Sequence, residues 1–378
     1  MKLLKEIADF YRFFRKISEE KRQIVFYAEH GGYYPNFEGI INELTESQQQ
    51  TICYITSDSN DTILQNSNPR IETFYLKNLL ALFMIVVNCK VFVMTLTDLH
   101  RFHLKRSINP VHYVYVFHSL VSMHMMYRHG AFDHYDSILC VGKHQVKEFH
   151  KYGELEKTPL PNLIEAGYYR LERIYCQYQK YLTEKADVSK KTTVLVAPSW
   201  GDKNILESCG EYLVNLLLES GYKVIVRPHP ETVRRNPKLL DTLAAKFGDN
   251  IDFTQEMSVA TDDSLLTSDI LICDCSGVAL EYAFGTERPV LFLNVPYKIK
   301  NDRFKELEIE PIELSVRTKI GLVLSPEKID EVPQCIKKLL TEQEKYREDI
   351  LQLRNQSVYA FGRSSEIGAE HIVNLTQN

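Results

Sequence analysis

This chain lacks the glycine fingerprints of the commonest nucleotide sites. Its 378 residues contain no GxGxxG and no GxxxxGK[ST], so a nicotinamide or ATP reading has no phosphate loop to rest on. There is no HExxH, no Cys/His pair at finger spacing, no GxSxG elbow, and no DxD placed at a strand end. A zinc peptidase, a zinc finger and an α/β-hydrolase are thereby disfavoured, and no metal or other cofactor is expected. The eight cysteines include no CxxC pair, which fits buried free thiols in a reducing cytoplasm. No uninterrupted apolar run reaches the ~20 residues that span a bilayer. The most apolar stretch, 79–96, is broken by Asn88 and Lys90 and reads as a buried helix followed by a buried strand. No signal peptide is visible, because Met1-Lys2-Leu3-Leu4-Lys5-Glu6 passes straight into charge. A net charge of −5 gives no reason to expect nucleic acid. There is no internal repeat, heptad array or low-complexity tract.

What is present is alternation. Apolar runs of strand length occur at 24–28, 52–56, 91–95, 113–117 and 137–141, with helical patterns between most of them, such as 36–44 and 144–152. Leu163–Gly167 reads as the end of this first set. A charged, tyrosine-rich helix over 168–185 and a polar linker, Ala186–Lys191, come next. The pattern restarts at 193–198, with strands at 224–226, 270–273, 290–293 and 321–324 and helices at 205–220, 237–247, 278–284, 325–340 and 364–375. This predicts α/β architecture: two doubly wound Rossmann-like domains, with ligands at the carboxyl ends of the strands and a central cleft where the domains face each other. The boundaries read as 1–188, 189–360, and a terminal segment, 361–378, crossing back to the first domain. The segment Leu3–Ile17 is amphipathic and rich in Phe, Tyr, Lys and Arg; it reads as a helix packed on the first domain, with peripheral membrane contact as the alternative.

The most informative stretch is 268–296, SDILICDCSGVALEYAFGTERPVLFLNVP, a strand, a small polar turn, a helix and a second strand. A helix that opens at Ser276-Gly277 aims free N–H groups and its positive dipole end above the sheet, which favours phosphate. Gly285 is positioned to end that helix in a left-handed conformation. Glu281, five residues after Ser276, is placed to accept from ribose hydroxyls. A second edge follows the strand 222–226, where Arg227-Pro228-His229-Pro230 holds a guanidinium and an imidazole between two rigid prolines. Nine of the twelve histidines crowd into 100–150 without metal spacing. Among them His118 ends an apolar strand, where an imidazole can take a proton from an attacking hydroxyl. Ser119, His124 and Arg128 follow as candidates for the same wall. His30-Gly31-Gly32 is a glycine turn admitting a ligand to the first domain.

In order, His118-Ser119, Ala197-Pro198-Ser199-Trp200-Gly201-Asp202, Arg227-Pro228-His229-Pro230, the segment Ser268–Gly277 and Arg288-Pro289-Val290-Leu291-Phe292 resemble the CDP-glycerol glycerophosphotransferase family, which builds teichoic-acid-type and capsular polymers. That family typically shows HG, A-P-T-W-R, R-P-H-P and S-D-x-L-I-T-D-Y-S-S. The match is specific over 194–296 and loose over 1–110. This chain carries Ser119 after the histidine where the family has Gly, Gly277 where it has a second Ser, and Glu281 where it has Asp. Phe361-Gly362-Arg363-Ser364-Ser365 resembles the family's terminal turn.

The resemblance implies a GT-B fold without an essential DxD metal. It implies His118 as base, and His229, Ser276 and Gly277 at the donor phosphates, where Arg227 and Ser199 are further candidates. Glu281, Asp274 and Pro228 are then expected about the ribose and base, and His30, Gly31, Ser119, His124 and Arg128 on the acceptor side. The implied partners are a CDP-activated polyol donor and a glycan or lipid-linked glycan acceptor, met in the cytoplasm or at the inner face of the membrane. The alternatives on the same architecture are a glycosyltransferase using a CMP- or UDP-sugar, a nucleotide-sugar 2-epimerase, and a non-catalytic scaffold.

Overall fold

Two sets of short apolar runs become two parallel sheets. The computed structural model describes residues 2–184, 191–258 and 261–377; most of the expected linker 186–191 lies outside them. The chain divides into two compact units. One comprises Met1–His118, Tyr127–Arg170 and Val358–Asn378, the other Ser119–Met126 and Leu171–Ser357.

In the first unit the strands are β1 (Ile24–Ala28), β2 (Ile52–Thr56), β3 (Ile71–Tyr75), β4 (Val91–Met94), β5 (His112–Val116), β6 (Ser137–Cys140) and β7 (Asn162–Glu165). Their order is β3-β2-β1-β4-β5-β6-β7, and every pairing is parallel. The central strands are buried on both faces, which is why they read as unbroken apolar runs rather than alternating ones. The last helix, Ser364–Gln377, packs on the helix Tyr34–Asn42 in this unit. Gly39 permits the close approach, since a Cβ there would lie 2.2 Å from the Tyr169 ring and from Ser365 Oγ. The first helix, Lys2–Arg15, docks through Phe13 and through Glu6. The buried Glu6 carboxylate accepts from the backbone N–H groups of Asn78 (2.8 Å) and Leu79 (3.0 Å).

The second unit holds β8 (Thr193–Val196), β9 (Lys223–Val226), β10 (Phe253–Gln255), β11 (Ile270–Cys273), β12 (Val290–Leu293) and β13 (Gly321–Leu324), ordered β10-β9-β8-β11-β12-β13 and again parallel. Its core gathers Val194, Val196, Leu213, Val224, Ile270, Ile272 and Leu291. The short segment Ser119–Met126 joins this unit because its polar groups are satisfied there. Glu313, itself buried, accepts from the Ser122 N–H (2.9 Å) and hydroxyl (2.7 Å). Met125 packs with Cys275 and Phe304.

Three details correct the sequence reading. The helix after Ser276 runs Gly277–Thr286, and the left-handed residue that ends it is Glu287 (φ 59°), not Gly285. Gly285 lies inside the helix and serves packing instead, since a Cβ there would come within 2.5 Å of Ile174. Glu287 tolerates its backbone conformation while its carboxylate accepts from Arg347 (2.9 Å) and Arg354 (3.4 Å). The span 325–340 is a 3-10 turn, Pro326–Glu331, followed by the helix Val332–Thr341. Leu163–Gly167 overlaps the edge strand β7, which begins at Asn162 and ends at Glu165.

Candidate active site

In the second unit the strand order reverses between β8 and β11. Chains leave such a reversal in opposite directions and open a crevice at the carboxyl edge, the usual ligand position in doubly wound sheets. Two loops meet there. The Ser199 N–H donates to Asp274 Oδ1 (2.8 Å) and its hydroxyl to Oδ2 (2.9 Å). Both residues are buried. Burial raises the Asp274 carboxyl above the ordinary aspartate range, and the donors from Ser199 act against that rise. Asp274 is therefore a clamp between the β8 and β11 loops, which corrects its expected place at ribose or base. Ser199 is committed to the same clamp rather than pointing at a phosphate.

Next to this clamp the helix Gly277–Thr286 begins. Ser276 is extended (φ −133°, ψ 146°), half-buried, and makes no side-chain capping bond. The Ala279 N–H donates to the Ser276 carbonyl (3.1 Å), and a helix leaves the N–H groups ahead of it without intrahelical partners, so the end is suited to an anion. Gly277 is required for packing. A Cβ there would lie 2.1 Å from Ser119 Oγ and 3.1 Å from Val121 Cγ1. The two positions that depart from the family's HG and SS patterns thus touch, and the small residue has changed sides. Substituting Gly277→Ser is expected to drive Ser119 off its rotamer and lower turnover by roughly tenfold. Adding Ser119→Gly should restore most of that loss in a double-mutant cycle.

At the end of β9, His229 caps the short helix Pro230–Arg235, with Nδ1 accepting from the Glu231 N–H (3.1 Å). That bond assigns the proton of a neutral ring to Nε2, which becomes the donor. Trp200 lies beside it with ring centroids 6.1 Å apart. Arg235 sits over the indole at 4.6 Å, and Lys298 lies over it as well. Arg227 differs from expectation. It is buried, and its guanidinium donates to Ser264 Oγ and to the Thr261 carbonyl, each at 3.0 Å, bracing the loop beyond β10. Pro228 and Glu281 are buried too.

In the first unit a separate aromatic group forms at the carboxyl ends of β1 and β5. The half-buried His118 meets Tyr33 edge-on at 5.5 Å and Tyr127 at 6.1 Å. His30 lies 4.7 Å from Tyr33, and its Nδ1 accepts from the Gly32 N–H (3.1 Å), closing the glycine turn. Gly31 sits against Asp61. Arg128 is exposed, 3.9 Å from Asp98 and over the Phe102 ring. His124 is a correction: it is buried in the second unit and bonded through Nε2 to the Ile309 carbonyl (3.0 Å), so it acts as a strut and not as a free acceptor-side wall. Among the described residues no three His, Cys, Asp or Glu side chains gather as a metal site.

The residues missed by sequence reasoning are Tyr33, Tyr127, Arg235 and Lys298. The tyrosine next to the His30-Gly31-Gly32 turn was the one usable signal. Arg235 ends the helix Pro230–Arg235 that follows the RPHP motif, whereas Tyr127 and Lys298 reach their groups from loops.

The profile of the CDP-glycerol:poly(glycerophosphate) glycerophosphotransferase family matches residues 9–301. The chain belongs to this family. Among solved structures, this glycerophosphotransferase is similar to a variant of the wall teichoic acid polymerase TagF (TM-score 0.62, 16% identity, covering 100% of this chain and 98% of that one). It is also similar to a glycosyltransferase from Rickettsia africae ESF-5 (TM-score 0.53, 14% identity, 95% and 99%). A third likeness is to the UDP-GlcNAc 2-epimerase from Neisseria meningitidis bound to UDP-GlcNAc (TM-score 0.58, 13% identity, 93% and 99%). At these identities the structures establish the GT-B-type fold. No curated protein sequence matches the chain.

Proposed function

We propose that this enzyme moves a glycerol-phosphate or similar polyol-phosphate from a CDP-activated donor to a hydroxyl of a teichoic-acid-like or capsular polymer, releasing CMP. Family membership supports the reaction class. The observation that carries the reading is the placement of His229 and the Ser276–Gly277 helix start after β9 and β11, strands on opposite sides of the reversal.

His118 takes the proton of the acceptor hydroxyl as its oxygen attacks the β-phosphorus. The bond from that phosphorus to the bridging oxygen breaks, and the electron pair leaves with CMP. His229 Nε2–H and the first-turn N–H groups of the Ser276 helix meet the growing phosphate charge. Glu281 serves the ribose. Arg227 and Asp274 act by holding loops in place. The test is a donor panel. CMP release from CDP-glycerol, dependent on an added polymer acceptor, is expected. Turnover of UDP-GlcNAc to a free sugar without acceptor would replace this reading with an epimerase.

We also propose peripheral contact with the inner face of the membrane. No helix among the described residues is long and apolar enough to cross a bilayer. The helix Lys2–Arg15 is held by Glu6 and Phe13 and exposes Leu3, Leu4, Ile7 and Tyr11, with Lys2 and Lys5 alongside. Such a face suits an anionic lipid surface. Co-sedimentation with phosphatidylglycerol vesicles should fall by roughly tenfold in a Leu4→Glu/Ile7→Glu variant; equal sedimentation would refute the contact.

A further inference from the structure

Resting on the donor site just described, we propose that Lys298 is a further donor-phosphate ligand, which leaves the face of Trp200 to pair with the nucleoside diphosphate.

Four observations converge. Lys298 lies on the loop after β12 and, with the loops after β8 and β9, supplies one group of side chains at the carboxyl edge of the second sheet. Its Nζ is shielded from solvent and has no hydrogen-bond partner among the described residues. An ammonium without a hydrogen-bond acceptor is costly even over an indole face, since the ring quadrupole returns only part of the lost hydration. The surroundings are cationic: Lys300 on its own loop and Arg235 from the helix Pro230–Arg235 both disfavour its charge, and Glu231 is the carboxylate that favours it. Glu231 is already engaged, accepting from Arg234 (2.7 Å) and Arg235 (2.7 Å). The group therefore carries more positive charge than it neutralises, with the His229 Nε2 donor beside the same indole.

A diphosphate supplies the missing acceptors and the missing negative charge together. Burial first, then Lys300 and Arg235, lower the Lys298 pKa to about 7. Near neutral pH the amine is thus partly uncharged, and a neighbouring phosphate raises its proton affinity. The sign follows: binding draws in a proton, so affinity for the anion is greatest below about pH 7 and falls as pH rises through that range.

Calorimetric titration of the full chain with CDP, in two buffers of different ionisation heat between about pH 6 and 8.5, separates the outcomes. Wild type is expected to take up roughly half a proton more than Lys298→Met near pH 7. A parallel titration with CDP-glycerol, whose diphosphate diester has no proton to exchange in this range, removes the nucleotide's own phosphate titration from the comparison. Lys298→Met should bind CDP about tenfold more weakly at low pH, a loss of ~1.4 kcal/mol, and show a flatter pH dependence. Lys298→Arg should keep affinity at high pH without the extra proton. Equal affinity and equal proton uptake in wild type and Lys298→Met, with CDP still binding both, would overturn this inference alone. No CDP binding by wild type would overturn the donor-site reading and this inference with it.

Discussion

Replacing His229 by alanine is expected to slow CMP release from CDP-glycerol by roughly 10²–10³-fold, and replacing His118 by alanine by roughly 10²–10⁴-fold. The two losses have different physical origins. His229 is held with Nδ1 toward the Glu231 N–H, so its Nε2–H is an oriented donor that needs no reorganisation when charge develops on phosphate. Alanine removes both the donor and the helix cap. Asparagine is the control, because its side-chain oxygen can still cap the helix Pro230–Arg235. If His229→Asn folds normally and remains slow, the loss belongs to the phosphate contact. His118 lies edge-on to Tyr33 and Tyr127, which restricts its ring orientation and suits a base. Its removal should lower kcat more than donor affinity. Near wild-type turnover in both alanine variants would refute the mechanism.

Removing Asp274 is expected to be the most damaging single change to the second unit. Its two oxygens hold the Ser199 N–H and hydroxyl in a buried setting. Asp274→Ala strands those donors, at a cost of about 2–4 kcal/mol. In a unit of this size that corresponds to a fall of roughly 5–15 °C in the melting midpoint. Asp274→Asn keeps one acceptor oxygen and nearly the same volume, so its loss should be about half as large. Donor binding should weaken in both, because Trp200 follows the clamped serine directly. A melting midpoint unchanged in Asp274→Ala would show that the loops after β8 and β11 do not depend on this carboxylate.

Interior strands were readable because burial on both faces demands continuous apolar side chains. Ile24–Ala28 and Ile52–Thr56 are entirely buried and stand out in the sequence. Edge strands obey a weaker rule. β3 carries half-buried Glu72 and Thr73, β7 is only partly covered, and β10 has three residues, so none announces itself by hydropathy. The helix Gln343–Ser357 was missed for a similar reason, since its buried residues are only Ile350, Leu353 and Arg354.

For the site, local motifs gave the right neighbourhoods but not the directions of the side chains. Arg227 and His229 are two residues apart, yet the first is buried against Thr261 and Ser264 while the second stands beside Trp200. Asp274 turns toward Ser199, across 75 residues of chain. The Gly277–Ser119 contact joins positions farther apart still.

The sequence by itself determined the α/β class, the interior strands, the helix start at Ser276-Gly277 and the family, since each depends on residues adjacent in the chain. The tertiary structure alone decided which polar groups brace loops and which remain available for chemistry, because hydrogen-bond demand in a buried setting is met by whichever partner the fold brings near. Glu313 draws Ser122 into the second unit, Asp274 claims Ser199, and Lys298 comes to lie over Trp200.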